Sequence, residues 1–222
     1  MNSRRAFLHG MAGGAGSLLP AQATAVSPGA NSRPNIVYLH SHDSGRYLRP
    51  HGPAVPTPNL QRLAGEGILF RQAFSGAPTC SPSRAALLTG QSAHARGMLG
   101  LAHRGFSLND YNQHMIHTLH AAGYRSVLAG IQHVADKPEK IGYKELLRPA
   151  SMRAADVAPA AEQFLSRTGS GPFFLDVGFF ETHREYPQPT AADAALWFCR
   201  VPRPAHRTLN LCSFHQKTVA AL

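Results

Sequence analysis

Two short apolar runs, set far apart in the chain, most restrict what this sequence can fold into. Asn35-Ile36-Val37-Tyr38-Leu39-His40 and Phe173-Phe174-Leu175-Asp176-Val177-Gly178-Phe179-Phe180 are rich in β-formers, and each leads into polar residues. Both are predicted to be buried strands. Between them, Thr57-Pro58 offers an N-cap followed by a first-turn proline, so a helix should run through Leu60, Leu63 and Ala64 and stop at Gly65 or Gly67. Ile68 to Phe74 is a further apolar segment and is predicted to be extended. Pro78 and Pro82 bias their neighbours away from helix, so residues 78–82 are predicted to be irregular and a helix to begin at Ser83 and close near Gly90. A helix from His117 to Ala122, a strand from Tyr124 to Ile131 and a helix from Ala154 to Arg167 follow. The last of these presents Ala155, Val157, Ala158, Ala161, Phe164 and Leu165 on its apolar side. Strands alternating with helices predict an α/β fold with a largely parallel central sheet flanked by helices. Ligands then belong at the carboxyl ends of the strands, where His42-Asp43-Ser44-Gly45 and His183 fall.

Charge narrows the function classes. The formal charge is +10, but two arginines in residues 1–25 and four basic residues in 194–222, with no acids in either stretch, leave only +4 for residues 26–193. No Lys/Arg run tracks a phosphate backbone, so nucleic acid is not an expected partner. A mildly basic surface suits anionic substrates instead. No apolar stretch is long enough to span a bilayer. The three cysteines, Cys80, Cys199 and Cys212, form no C-x-x-C pair and indicate neither a zinc knot nor a disulfide framework. Cys199 and Cys212 remain free to pair in an oxidising compartment.

The first residues read as an address. Arg4-Arg5 precedes a moderately apolar stretch from Ala6 to Leu19, and Ala21-Gln22-Ala23-Thr24-Ala25 offers two overlapping A-x-A cleavage sites. Residues 1–25 are accordingly expected to be a twin-arginine-type signal peptide, giving a periplasmic or secreted protein. A disordered basic leader is the plainer alternative.

The chemistry is carried by Cys80-Ser81-Pro82-Ser83-Arg84 with Leu88-Thr89-Gly90 behind it, a C-x-P-S-R signature followed by T-G. With Pro56-Thr57-Pro58-Asn59-Leu60-Gln61-Arg62-Leu63-Ala64 before it and Gly130-Ile131-Gln132-His133 after it, the chain resembles the sulfatase family of the alkaline-phosphatase-like superfamily. Gly97-Met98-Leu99-Gly100-Leu101 is most similar to the sulfamidase branch. The resemblance runs from about Pro34 to Pro187 and implies the N-terminal part of a sulfatase domain, placed at residues 26–193. It implies that Cys80 is converted to formylglycine by formylglycine-generating machinery. A gem-diol hydroxyl then attacks sulfur, and the second hydroxyl lets the adduct collapse to sulfate and aldehyde. Arg84 would hold diol and anion, His133 would interact with the sulfate or diol, and His183 would protonate the leaving group. As alternatives, Cys80 is a buried free thiol and His133 a satisfied polar residue.

The same resemblance implies calcium at a D-D-x-G motif. Here the matching residues are His42-Asp43-Ser44-Gly45, so the implied ligands are Asp43, His42 and Cys80, with an imidazole where a carboxylate is expected. Ile131 stands where the family has lysine. No S-D-[NH]-G stretch follows His183, and residues 194–222 change character, read either as a truncated or frame-shifted end or as a divergent surface extension. The expected function is sulfuric ester or N-sulfate hydrolysis on a sulfated small molecule or glycan, weak or absent in this chain alone. A non-catalytic remnant binding sulfated glycans and a phosphoester hydrolase of the same superfamily are the competing readings. His114, His117 and His120, at three-residue spacing, are expected to face the surface or a partner.

Overall fold

The computed structural model describes residues 33–52, 55–167, 169 and 171–183. The expected leader at 1–25 and the tail at 194–222 lie outside them. Strands β1 (Ile36–His40), β2 (Arg125–Gly130), β3 (Glu145–Leu147) and β4 (Phe173–Gly178) form one sheet in the order β1-β4-β2-β3, parallel at every pairing. Helices α1 (Pro58–Glu66), α2 (Cys80–Thr89), α3 (Met115–Ala121) and α4 (Ala154–Ser166) lie in the connections that parallel strands require. The α/β architecture expected from the alternation is therefore present. Among the described residues no helix is long and apolar enough to cross a membrane.

β4 is buried along its whole length, as its sequence predicts. Its side chains alternate between two cores. Phe173, Leu175 and Val177 pack with Val157, Ala161 and Phe164 of α4. Phe174 points the other way, into a cluster with Ala85 and Leu88 of α2 and Ile116 of α3. Each such apolar side chain stabilises by about 1.5–3 kcal/mol. Asp176 shares the Phe174 face and is 0% exposed, a carboxylate placed by strand alternation inside the α2 side of the sheet. α4 starts at Ala154, whose N–H donates to Glu181 Oε2 at 2.9 Å, so a carboxylate from beyond β4 satisfies one free donor of the first turn.

Four local expectations are corrected. β1 is only half covered: Val37 and Leu39 are 49% and 43% exposed, because β1 is at the edge of the described sheet and the α4 core takes its strand residues from β4, β2 and β3. Residues 68–74 form no strand; Ile68 and Phe74 are 83% and 90% exposed, so their apolar character meets no described partner surface. α2 begins at Cys80, three residues early. Pro82 falls in the first helical turn, where the N–H it lacks would have no intrahelical partner. Gly90, at φ 67°, closes that helix in the left-handed conformation. The three histidines at His114, His117 and His120 turn inward: His114 is buried and accepts from Ile116 N–H, His117 bonds Ile141 O at 2.9 Å, and His120 bonds Ser126 Oγ at 2.7 Å.

Candidate active site

Three strand ends and one helix head converge. Residues 41–44 follow β1, 131–134 follow β2, 179–183 follow β4, and Cys80 is the first helical residue of α2. β1 and β4 stay joined past the sheet, with His42 N–H donating to Glu181 O at 2.9 Å and Thr182 N–H donating to His42 O at 2.9 Å. Close approach at the strand ends depends on two glycines. A Cβ on Gly178 would stand 1.9 Å from Ile131 O and 2.5 Å from His40 Cε1, and one on Gly130 would stand 2.1 Å from Gly178 O.

Arg84 is held by a chain of partners that the sequence did not announce. Its guanidinium donates to His40 Nδ1 and to Ser41 O. Nδ1 is thus an acceptor, the ring proton sits on Nε2, and Nε2 donates to Asp176 Oδ1 at 2.8 Å. Tyr143 Oη donates to Asp176 Oδ2 at 2.6 Å. Burial lowers the His40 pKa against the opposing pull of Asp176, so the imidazole is neutral and connects a buried cation to a buried carboxylate. Burial and Asp176 together raise the Tyr143 pKa well above 10, keeping it a donor. Arg84 also lines a cleft of about 600 Å³ with His42, Asp43, Cys80 and Ser83.

A histidine cluster adjoins that cleft through His42 and Cys80. One ligand atom each from His42, Cys80 and His133 lie within 4.8 Å of one another. His183 joins them, its ring centroid 5.6 Å from that of His42 and 6.5 Å from that of His133, stacked on Phe180 at 4.9 Å. His103 lies 6.0 Å from His133. Burial first, then the Arg84 charge, pushes His42 down to about 2 and His133 down to about 4, so both are neutral imidazoles at pH 7. His42 is 2% exposed, and neither of its ring nitrogens has a hydrogen-bond partner. Cys80 is a half-buried free thiol.

Asp43 and His133 both have positive φ, 50° and 58°, a conformation rare outside glycine that concentrates at functional sites. Gln132 braces the second: its Oε1 accepts from Val134 N–H and from Ala135 N–H, and its Nε2 donates to Ala135 O at 2.8 Å. All of the sequence-expected residues, His42, Asp43, Cys80, Arg84, His133 and His183, therefore fall at this one end of the sheet. His40, Asp176, Tyr143, Gln132 and His103 were not anticipated. A lone aspartate within an apolar strand was the available signal for Asp176.

The donor chemistry can be compared with the groups that the resemblance implies. A half-buried thiol at a helix head, opening on a cleft with an arginine, fits a residue to be converted to an aldehyde. Calcium fits poorly, since it takes oxygen ligands at about 2.3–2.6 Å and the three converging atoms are two nitrogens and a sulfur.

The family model named Sulfatase matches residues 34–203. Human N-sulphoglucosamine sulphohydrolase is 33% identical over 150 residues, covering 64% of this chain and 29% of that protein. Human N-acetylgalactosamine-6-sulfatase is 39% identical over 123 residues, covering 50% of this chain and 24% of that protein. N-acetylglucosamine-6-O-sulfatase of Bacteroides thetaiotaomicron is 30% identical over 138 residues, covering 59% of this chain and 24% of that protein. The chain thus spans under a third of the length of these relatives. Among solved structures, BT4656 in complex with D-glucosamine-2-N,6-O-disulfate matches with a TM-score of 0.64 at 22% identity, over 78% of this chain and 40% of that one. Ps i-CgsB in complex with k-i-k-neocarrahexaose matches with a TM-score of 0.66 at 20% identity, over 86% and 53%. These two likenesses extend to the fold.

Proposed function

Because the chain belongs to the sulfatase family, we propose that it supplies the nucleophile-bearing part of a hydrolase of sulfate esters or N-sulfates, with Cys80 as the residue converted to the nucleophile. The observation that carries this reading is the placement of C-x-P-S-R at the head of α2, with Cys80 beside His42 and His133 and with Arg84 held in the same cleft. Formylglycine at Cys80 would supply a hydrated aldehyde hydroxyl as attacking group, a chemistry that serine or a thiol cannot complete.

The roles of the other side chains follow from their positions. Arg84 presents a fixed guanidinium, held from behind by neutral His40, and suits sulfate oxygens. His133 is neutral, has a ring nitrogen within 4.8 Å of the Cys80 sulfur, and is assigned to contact with the sulfate or the diol. His183, with its ring 5.6 Å from that of His42 and 6.5 Å from that of His133, is assigned to the leaving group. Asp43 and His42, on the turn after β1, are the residues assigned to a divalent metal. Calcium would find an oxygen ligand in Asp43 and a nitrogen in His42.

The substrate class is a sulfated small molecule or glycan, in line with relatives that act on sulfated amino sugars by name. Export through the twin-arginine route to the periplasm or beyond, and a dependence on formylglycine-generating machinery, belong to the same proposal.

Mass spectrometry of the Cys80 peptide, from cells that contain the maturation machinery, is the test. An aldehyde mass supports the proposal. A thiol in every preparation would overturn it and favour a glycan-binding or phosphoester-hydrolase reading. Sulfate release from an aryl sulfate by the aldehyde form then measures activity directly.

A further inference from the structure

His42, Cys80 and His133 come from three different parts of the chain, yet one ligand atom from each lies within 4.8 Å of the others. Ligand atoms around a tetrahedral ion with bonds of about 2.0–2.3 Å are roughly 3.3–3.8 Å apart. Side-chain rotation of about 1 Å closes the set to that size.

His42 is the informative member. Its ring is 2% exposed, and both nitrogens lack hydrogen-bond partners. A buried imidazole left this way is destabilising unless something accepts its lone pair. His133 adds a third unpartnered buried nitrogen, Nδ1. Its backbone is held at φ 58° by the Gln132 brace, which fixes where that ring stands. Two neutral imidazoles and a thiol are borderline-soft ligands, suited to zinc-class ions.

We propose that, while Cys80 remains a thiol, His42, Cys80 and His133 bind a thiophilic d-block dication of the zinc class. Binding forms a sulfur–metal bond and releases the thiol proton to solvent, with no change of oxidation state. Arg84 in the same cleft opposes a cation. The thiolate returns one negative charge, and Asp43 on the cleft wall carries another. Cys80 and His42 both line the cleft, so solvent supplies the fourth ligand. The inference rests on the same cysteine as the proposed function but concerns its other state: an aldehyde has no sulfur, so metal binding and maturation exclude one another at Cys80.

Cobalt(II) is the probe. The 222-residue chain is made in cells lacking formylglycine-generating machinery, in a Cys199→Ser, Cys212→Ser background where Cys80 is the single thiol. One equivalent of cobalt should produce a thiolate-to-cobalt charge-transfer absorption that zinc abolishes and a large excess of calcium leaves in place. Adding Cys80→Ser should remove the absorption, and His42→Ala or His133→Ala should weaken cobalt binding at least about tenfold. No charge-transfer absorption, its persistence without Cys80, or displacement by calcium would overturn the proposal. The zinc and calcium competition needs no histidine variant, so it decides the matter even where such a variant fails to fold. Finding no aldehyde in maturation-competent cells would count against the formylglycine reading and leave this site standing, whereas a silent cobalt titration of the thiol chain does the reverse.

Discussion

His40 donates from Nε2 to Asp176 Oδ1 at 2.8 Å across 136 positions of sequence, and this bond decides which ring nitrogen faces Arg84. The carboxylate at the centre of the sheet thereby sets the tautomer that holds the cation of the cleft. His40 lines the cleft while Asp176 does not, so Asp176 acts through His40 and Arg84 and is a positioning residue.

Asp176→Asn tests that relationship. An amide nitrogen turned toward His40 forces the proton to Nδ1, where it opposes the Arg84 donor. Turned the other way, the amide keeps the tautomer but removes the negative charge that balances Arg84. In the proposed aldehyde form, kcat should fall about 10–100-fold, with the fold retained by circular dichroism. Asp176→Ala also leaves His40 and Tyr143 donors unpaired and should cost about 3–5 kcal/mol in chemical denaturation. Wild-type kcat in the asparagine variant would remove the tautomer argument.

Gly178→Ala should destabilise by about 1–3 kcal/mol or more, since its Cβ meets backbone Ile131 O at 1.9 Å and the His40 ring at 2.5 Å. Gly65, inside α1 with nothing within 4 Å of a Cβ, is the control. There alanine should stabilise by about 0.5–1 kcal/mol. Paired thermal melts read both, and an unchanged Gly178→Ala melt would contradict the close packing at the strand ends.

Acid should unfold the domain partly through His114. Burial lowers its pKa to about 4, against an ordinary 6.5, so the unfolded chain binds this proton more readily than the folded one. Its contribution is fully present above pH 6.5 and is lost as pH falls from 6.5 toward 4, by roughly 3 kcal/mol. His114→Asn keeps a capping acceptor for α3 and does not titrate. Denaturation free energies from pH 7 to pH 4 should fall less steeply in that variant; equal slopes would reject the assignment.

Gln132→Ala should loosen the turn that carries His133. Two backbone donors, at Val134 and Ala135, lose their acceptor, a loss of about 1–3 kcal/mol for each donor left unsatisfied. Amide hydrogen exchange at Val134 and Ala135 should speed up selectively, with β4 unaffected. Unchanged protection there would show that Gln132 does not hold the turn.

What could be read from sequence depended on how far apart the causes lie. β4 and α4 were legible because uniform burial and a one-sided apolar face are local patterns. The edge position of β1 was not, since strand order is a property of the whole sheet and the exposure of Val37 and Leu39 follows from it. Pro82 disguised the start of α2, because a first-turn proline and a loop proline look alike in sequence. The cleft residues themselves followed from a signature, whereas His40 and Asp176 meet through strand register, Tyr38 lying opposite Asp176 and His40 opposite Gly178, which no local pattern encodes.

The strand order also has a consequence in time. β4 is the last of the four described strands to be made, yet it lies between β1 and β2 and pairs with both. About a hundred residues separate Cys80 from the end of β4, roughly 5–20 s of ribosomal elongation at about 5–20 residues per second. Through that interval β1 lacks the described strand it pairs with, and the cysteine segment lacks the finished sheet end it rests against. The nascent thiol therefore remains open to enzymes that act on unfolded chain, and closure of the sheet around β4 ends that opportunity.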